Sequence, residues 1–185
     1  SHPDLPNIVP MTSVEVDLSS HGMHHEPHSN LLLSLDTIAD VVNKKLIGMK
    51  VEQTATKNRG QALEEIVARS LGYRPNAGDL LAGGYPDIRH QALEVKVQDS
   101  STVDLGKFSP QLDEPVPCCP RFTAGSIRYV IALTDAATGI IQGAVVCPGI
   151  RLGEHFSFVA DTNFKCERTM PMSFFEQHDG KVVFN

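Results

Sequence analysis

The sequence is short of several features that define common protein classes. It contains no tryptophan, and its four cysteines, Cys118, Cys119, Cys147 and Cys166, include no Cys-x-x-Cys pair. Because that spacing is typical of zinc sites, a zinc-binding fold is disfavoured. No apolar run approaches the ~20 residues that span a bilayer, and residues 1–30 lack the apolar segment of a signal peptide. We therefore expect a cytoplasmic protein with free thiols and no membrane span.

Positive charge is also scarce. Sixteen Lys and Arg against 22 Asp and Glu give a formal net charge of −6, which argues against a uniformly basic surface but allows a local basic cleft. The glycines form no phosphate-loop motif, so an NTPase is not indicated. With 185 residues, of which 41% are hydrophobic, the chain is long enough for one well-buried core. We predict an extended arm over residues 1–30 and a single domain over residues 31–185.

Periodicity predicts helices first and strands later. Apolar residues recur at helical spacing over residues 30–47, with Ser34 as N-cap and Gly48 as stop, and again over residues 58–71, ending at Gly72. The C-terminal third is rich in β-branched residues. There we expect two strands, 128–134 and 139–147, joined by a hairpin turn. We also expect short strands at 156–159 and 182–184 and a short helix at 170–177. A short strand is also predicted at 14–18.

The stretch from Tyr85 to Gln98 carries the most chemistry. Apolar and polar residues alternate from position 92 to 98, so a strand would place Glu94 and Lys96 side by side on its polar face. Asp87 lies seven positions before Glu94, directly after Pro86. A short hairpin through residues 89–91 would return the Asp87 carboxylate to Glu94. Two carboxylates at one point predict a magnesium site, and the neighbouring Lys96 ammonium suits phosphodiester hydrolysis.

These residues resemble a known motif. Pro86-Asp87 followed by Glu94-Val95-Lys96 is similar to the motif of the PD-(D/E)XK nuclease superfamily, which includes many restriction endonucleases. Residues 57–73 resemble the first core helix of that fold, in which an acidic residue often faces the active site, and Glu64 takes that position. The likeness covers residues 57–98, under a quarter of the chain.

The resemblance implies both a fold and an activity. The fold would be α/β (α+β), a restriction-endonuclease-like core with a central mixed β-sheet flanked by helices. The activity would be Mg²⁺-dependent cleavage of double-stranded DNA that leaves 5′-phosphate ends, with Mn²⁺ able to substitute. A homodimer is expected on geometric grounds, because a double-strand break needs two cuts on antiparallel strands. Asp87, Glu94 and Val95 would bind the metal, and Lys96 would position or activate water. Glu64 would assist as a fourth catalytic residue, by binding the metal through a water or by holding Lys96.

Several alternatives stay open. The chain would be a type II restriction enzyme or its catalytic domain, a repair nuclease or junction resolvase, or a DNA-binding module on the same fold that no longer cleaves. Glu64 can also be read as a solvated carboxylate at a helix start. His21, His24, His25 and His28 predict either a transition-metal site or a polar loop. The candidate DNA contacts are basic residues of the helix start and of the long loop after Gln98: Lys57, Arg59, Lys107, Arg121 and Arg128.

Overall fold

A computed structural model describes residues 16–51, 56–99, 102–105, 108, 110, 113–159, 167–169 and 182–183. Three helices precede the main strands: α1 (Leu35–Lys45), α2 (Thr56–Ser70) and the short α3 (Ala77–Ala82). The Ser34 side chain accepts a hydrogen bond from Thr37 N at 3.0 Å, as predicted for the N-cap of α1. Gly48 and Gly72 have φ values of 84° and 105°, which confirms both as the glycines that follow a helix end.

The central sheet has four strands and mixed direction. Its order is β1 (Leu93–Gln98), β3 (Arg128–Thr134), β4 (Ile141–Pro148) and β7 (Val182–Val183). The β1–β3 and β4–β7 pairs are parallel, whereas β3 and β4 form the antiparallel hairpin expected from the sequence. The turn between them closes through Gly139 N, which donates to Asp135 O at 2.8 Å. The predicted mixed α/β class is therefore confirmed.

A second sheet is small and antiparallel. It has the order β2 (Thr102–Asp104), β6 (Glu167–Thr169) and β5 (Ser157–Val159). The predicted strand over 156–159 thus exists, but it pairs outside the central sheet. Residues 16–18 of the strand predicted over 14–18 are not in a strand, and the helix predicted over 170–177 lies outside the described residues.

Apolar side chains cover both faces of the central sheet. On one face, α1 and α2 pack against Leu93, Val95 and Val130 in a cluster that includes Ile38 and Leu63. On the opposite face, loops and a 3₁₀ helix, Gly149–Glu154, pack against the sheet, with Phe108, Phe122, Leu152 and Phe156 against Tyr129, Ile131 and Val145. The polar side chains of β1 face this second side, where they meet the more irregular part of the chain.

The described part of the predicted arm is packed rather than extended. Leu18 and Met23 are buried in the first cluster. Met23 O accepts a hydrogen bond from His90 N at 2.9 Å. The Gln91 side chain donates to Leu31 O at 2.8 Å and accepts from Leu33 N at 2.9 Å. These bonds fix residues 16–33, called here the N-terminal segment, against the turn that precedes β1.

Candidate active site

A tight hairpin builds the centre of the site. Ile88 and Leu93 bond to each other through both main chains, at 2.9 and 3.2 Å. A turn of 3₁₀ helix, Arg89–Gln91, and Ala92 at φ 46° close the four-residue loop between them. The chain direction therefore reverses between Asp87 and Glu94. This confirms the predicted hairpin and explains how seven positions of sequence separation become direct contact.

Reciprocal hydrogen bonds hold the two carboxylates together. Glu94 Oε2 accepts from Asp87 N at 3.2 Å, and Asp87 Oδ2 accepts from Val95 N at 2.8 Å. Each carboxylate is thus oriented by the main chain of the other strand of the hairpin. Such orientation by main-chain donors restricts the carboxylate rotamers and is typical of sites that are organised before a ligand binds.

Lys96 completes the trio on β1. Its Nζ lies 2.6 Å from Glu94 Oε1. The Lys96 side chain is 25% exposed to solvent, whereas that of Glu94 is 3% exposed. Leu93, Val95 and Val97 point into the α2 side of the sheet, so Glu94 and Lys96 share the other face, as the alternation predicted. The ammonium therefore lies between the buried carboxylates and the surface.

Glu64 reaches the same site from α2. This helix packs against β1, the edge strand of the central sheet. Burial and the Asp87 carboxylate raise the pKa of Glu64 to about 7, against the opposing effect of Lys96. The Glu64 carboxylate is therefore close enough to sense both groups. The structure brings together Asp87, Glu94, Lys96 and Glu64, as the sequence predicted.

The site carries an unbalanced set of charges. Burial and the neighbouring Asp87 raise the pKa of Glu94 to about 8, against the opposing effect of Lys96. Burial also raises the pKa of Asp87, which Lys96, the Val95 N–H and His24 counteract. Three carboxylates share one ammonium, and each is shifted toward its neutral form. A bound cation would favour all three charged forms.

The donor set fits a hard divalent cation. Mg²⁺ keeps several waters and takes one or two carboxylates from a protein, and Asp87 with Glu94 supply two. Val95 has an apolar side chain, so only its carbonyl could serve as the predicted third ligand. In a strand the N–H and C=O of one residue point to the same edge, and Val95 N already bonds Asp87, so its carbonyl lies on the Asp87 edge of β1. Within the described residues, no group of three His, Cys, Asp or Glu side chains has metal-binding geometry.

Two residues of the site were not predicted from the sequence. Tyr85, just before Pro86, bonds its hydroxyl to that of Tyr129 at 2.9 Å, and burial raises its pKa, as do Glu94 and Asp87. Tyr129 is the β3 neighbour of Glu94. His24 belongs to the N-terminal segment and acts electrostatically on Asp87. The adjacency of Tyr85 to the motif could have drawn attention to it, whereas His24 had no such signal.

The basic residues predicted to contact DNA differ in their exposure and in their partners. Arg121 is exposed, with Nη2 donating to Pro27 O at 3.2 Å. Arg59 is mostly buried and forms an ion pair with Asp99. Arg128 is buried and donates to Leu33 O and Gln91 O. The predictions for Arg59 and Arg128 are therefore corrected, because their guanidinium groups hold the fold. Lys107 and the side chain of Lys57 lie outside the described residues.

The histidine cluster is a packing feature. His21 stacks on His90 with ring centroids 5.1 Å apart, and His90 Nδ1 bonds the Tyr73 hydroxyl at 2.7 Å. His24 Nε2 donates to Asp79 O at 2.7 Å. Of the two interpretations of residues 21–28, the polar loop is the one that these contacts favour. Cys118, Cys119 and Cys147 are free thiols, as expected, and Cys166 lies outside the described residues.

Comparisons with protein families, with curated proteins and with solved structures find no match to this chain. None of the described helices is long and apolar enough to cross a membrane. The site itself therefore carries the functional inference.

Proposed function

We propose that this protein is a Mg²⁺-dependent DNA endonuclease of the PD-(D/E)XK type, either a type II restriction enzyme or its catalytic domain. One observation carries the proposal. The hairpin from Asp87 to Glu94 places two buried carboxylates and the Lys96 ammonium at a single point on the edge of a mixed sheet. Glu64 from the preceding helix supports it, because the resemblance assigned an acidic residue of that helix to the same site.

A purely structural role explains this arrangement poorly. Burial raises the pKa of both carboxyls and Asp87 adds to the shift at Glu94, so their charged forms destabilise the folded chain, whereas an ion pair alone would need only one carboxylate. Destabilising polar clusters of this kind occur mainly at functional sites. The main-chain hydrogen bonds from Asp87 N and Val95 N hold the carboxylates in place despite that repulsion. We infer that the charge is retained for a ligand.

Each residue has a distinct part in hydrolysis. Bound Mg²⁺ would supply a water of lowered pKa and electrostatic stabilisation of phosphate oxygens. Asp87, Glu94 and the Val95 carbonyl would hold it. Lys96 Nζ, which Glu94 Oε1 orients, would donate to the attacking water or to the developing charge on phosphate. Glu64 would orient Lys96 or a water. Departure of the 3′ oxygen leaves a 5′ phosphate, as the resemblance implies.

The decisive experiment is incubation with supercoiled plasmid and Mg²⁺, followed by sequencing of the ends. Discrete ends identify a restriction enzyme, whereas scattered ends or ends at branched structures identify a repair nuclease or resolvase. Asp87→Asn and Glu94→Gln should abolish cleavage and leave DNA affinity equal or higher, because they remove metal ligands and negative charge. Asp40→Asn, at an exposed carboxylate on α1, is the matched control.

DNA binding without cleavage under any divalent cation would refute the nuclease and favour the binding module. Cleavage at a normal rate by Asp87→Asn or Glu94→Gln would refute the site. Undiminished activity in a chelator would refute the metal requirement.

A further inference from the structure

Two arginines that bond the N-terminal segment have no carboxylate partner among the described residues. Arg59, Arg69 and Arg151 each pair with a carboxylate, and Arg128 is buried against main-chain carbonyls. Arg89 and Arg121 form no ion pair with any described residue. Their positive charges are therefore not neutralised by a neighbouring carboxylate within the described chain, although the protein is acidic as a whole.

Both guanidinium groups are anchored to the same short piece of main chain. Arg89 Nη1 donates to His24 O at 3.3 Å, and Arg121 Nη2 donates to Pro27 O at 3.2 Å. Three residues of chain separate the two carbonyls, so they lie at most about 11 Å apart. One bond each leaves most of the five N–H donors of each arginine for other partners. Residues 24–27 thus accept hydrogen bonds from both guanidinium groups.

Arg89 and the His24 carbonyl to which it donates belong to segments that adjoin the candidate active site. Arg89 is two positions beyond Asp87, in the loop of the catalytic hairpin, and the His24 ring acts electrostatically on Asp87. Arg89 Nε and His24 Nδ1 are buried and have no hydrogen-bond partner among the described residues. The carboxylate of Glu26, in the same segment, forms no ion pair with either arginine in that part of the chain.

The approach to Arg89 is kept open by glycine. Gly83 and Gly84 adopt positive φ values of 60° and 138° just before Tyr85. A side chain at Gly84 would begin 3.4 Å from Arg89 Nη2, and nothing lies within 4 Å of the equivalent position at Gly83. A bare main chain beside a guanidinium lets an anion approach closely.

We propose that Arg89 and Arg121, held by the N-terminal segment, bind backbone phosphates of the DNA strand next to the phosphodiester cleaved at Asp87 and Glu94. The proposal rests on the proposed function and adds to it a phosphate-binding subsite and the residues that form it. The guanidinium fork matches phosphate oxygens in charge and geometry. The proposal also explains how an acidic protein would bind a polyanion, because the positive charge of the two arginines is local and not compensated by a neighbouring carboxylate.

The test measures binding to a short DNA duplex by fluorescence anisotropy in Ca²⁺, across a series of KCl concentrations. The slope of log affinity against log salt counts phosphate contacts, with about 0.9 per contact on duplex DNA. Arg89→Gln and Arg121→Gln should each reduce that slope by roughly one and weaken binding at least roughly tenfold, whatever the DNA sequence. Lys45→Gln, at an exposed cation on α1, should leave both unchanged.

Two further variants guard against misfolding. Arg89→Lys keeps the charge and should keep most of the slope. Arg121 is exposed, so Arg121→Gln should fold normally and decides the proposal if Arg89→Gln does not fold. The subsite would be overturned if Arg121→Gln and a folded Arg89→Gln both gave the salt slope of the wild type. It would also be overturned if the wild type did not bind DNA. Normal cleavage with unchanged slopes refutes the subsite alone, whereas arginine-dependent slopes without cleavage refute the nuclease alone.

Discussion

Asp87 and Glu94 are the residues at which the proposed metal site would cost the fold most. Burial raises the pKa of both carboxyls, Asp87 adds to the shift at Glu94, and Lys96 opposes the shift at each. A bound cation would favour the charged forms and so stabilise the folded chain. Binding to the folded state alone raises the apparent stability by mass action.

This gives a prediction that does not depend on turnover. Saturating Mg²⁺ or Mn²⁺ should raise the melting temperature of the wild type by roughly 5 °C or more. Ca²⁺ should also bind but support little cleavage, because its looser coordination places the water poorly. Asp87→Asn keeps an oxygen acceptor for Val95 N but removes the charge, so its melting temperature should not respond to metal. Differential scanning fluorimetry with and without a chelator measures this, and an equal response of both proteins would contradict it.

Glu64 offers a second test, with a control on the same helix. Glu64→Gln should reduce cleavage by about 10- to 100-fold, the usual effect of losing a group that orients a metal site or its water. Glu65→Gln should have no such effect, because Glu65 pairs with Arg69 on α2 at 2.8 Å. Single-turnover rates on plasmid DNA compare the two. Equal rates for both variants would favour the alternative interpretation, in which Glu64 is a solvated carboxylate near the start of α2 with no part in cleavage.

Local chemistry explains which of these residues could be predicted. Asp87, Glu94 and Lys96 lie within ten positions, so strand alternation and one turn were enough to join them. Arg59 and Arg128 were mistaken for DNA contacts because their partners are distant in sequence. Asp99 is 40 positions from Arg59, and Gln91 is 37 positions from Arg128. No pattern along the chain reports such a pairing before the sheet is formed.

The same distinction applies to helices and strands. Ser34 at the start of α1, and Gly48 and Gly72 after α1 and α2, are local signals, and they predicted the ends of these helices well. The six residues of α3 and the three-residue strands of the second sheet are too short for periodicity to show. They depend on long-range pairing. The packing of the N-terminal segment was missed because proline-rich sequence indicates an extended chain but not what it lies against.

The turn 89–91 joins that segment to the hairpin of the candidate site, and we predict that His90 makes this junction sensitive to acid. The His90 ring is buried between His21 and Tyr73. Burial, together with the charges of His21, His25 and His28, lowers its pKa to about 4. The Tyr73 hydroxyl, which accepts from Gln91 Nε2 at 3.0 Å, faces its Nδ1. The folded state therefore favours the neutral imidazole.

The pH dependence follows from that shift. In the unfolded chain the imidazole titrates near 6.5, so between about pH 6.5 and 4 the unfolded state binds a proton that the folded state does not. The neutral His90 ring therefore contributes up to about 3 kcal/mol to the free energy of unfolding. This contribution is complete above about pH 6.5 and is lost as the pH falls toward 4. Urea unfolding at several pH values should show this loss in the wild type and in Lys45→Gln, at an exposed cation on α1, but a smaller one in His90→Gln. The same dependence in all three proteins would contradict it.

A double-strand break in DNA requires the hydrolysis of two phosphodiester bonds, one in each strand. One Asp87-Glu94-Lys96 site hydrolyses one phosphodiester, whereas the two strands run antiparallel, so a two-fold symmetric pair of chains supplies equivalent sites without any further sequence. The apolar stripe of α1, with Ile38, Val42 and Leu46, is buried in the core and is not available for pairing. The large apolar side chains that are exposed within the described residues are Met49, Ile140 and Ile150.

We accordingly predict that the active unit on duplex DNA is a homodimer. Sedimentation velocity in Ca²⁺ should show two chains per duplex, and the cleavage of plasmid in Mg²⁺ should pass to linear DNA with little nicked intermediate. Arg89→Gln should reduce occupancy without altering the two-to-one ratio, since its loss weakens phosphate contacts rather than contacts between chains. Nicked circles as the only product would indicate a monomer that cuts one strand. A one-to-one complex that still makes concerted double-strand breaks would overturn the dimer, because one chain would then have to present its single site to both strands.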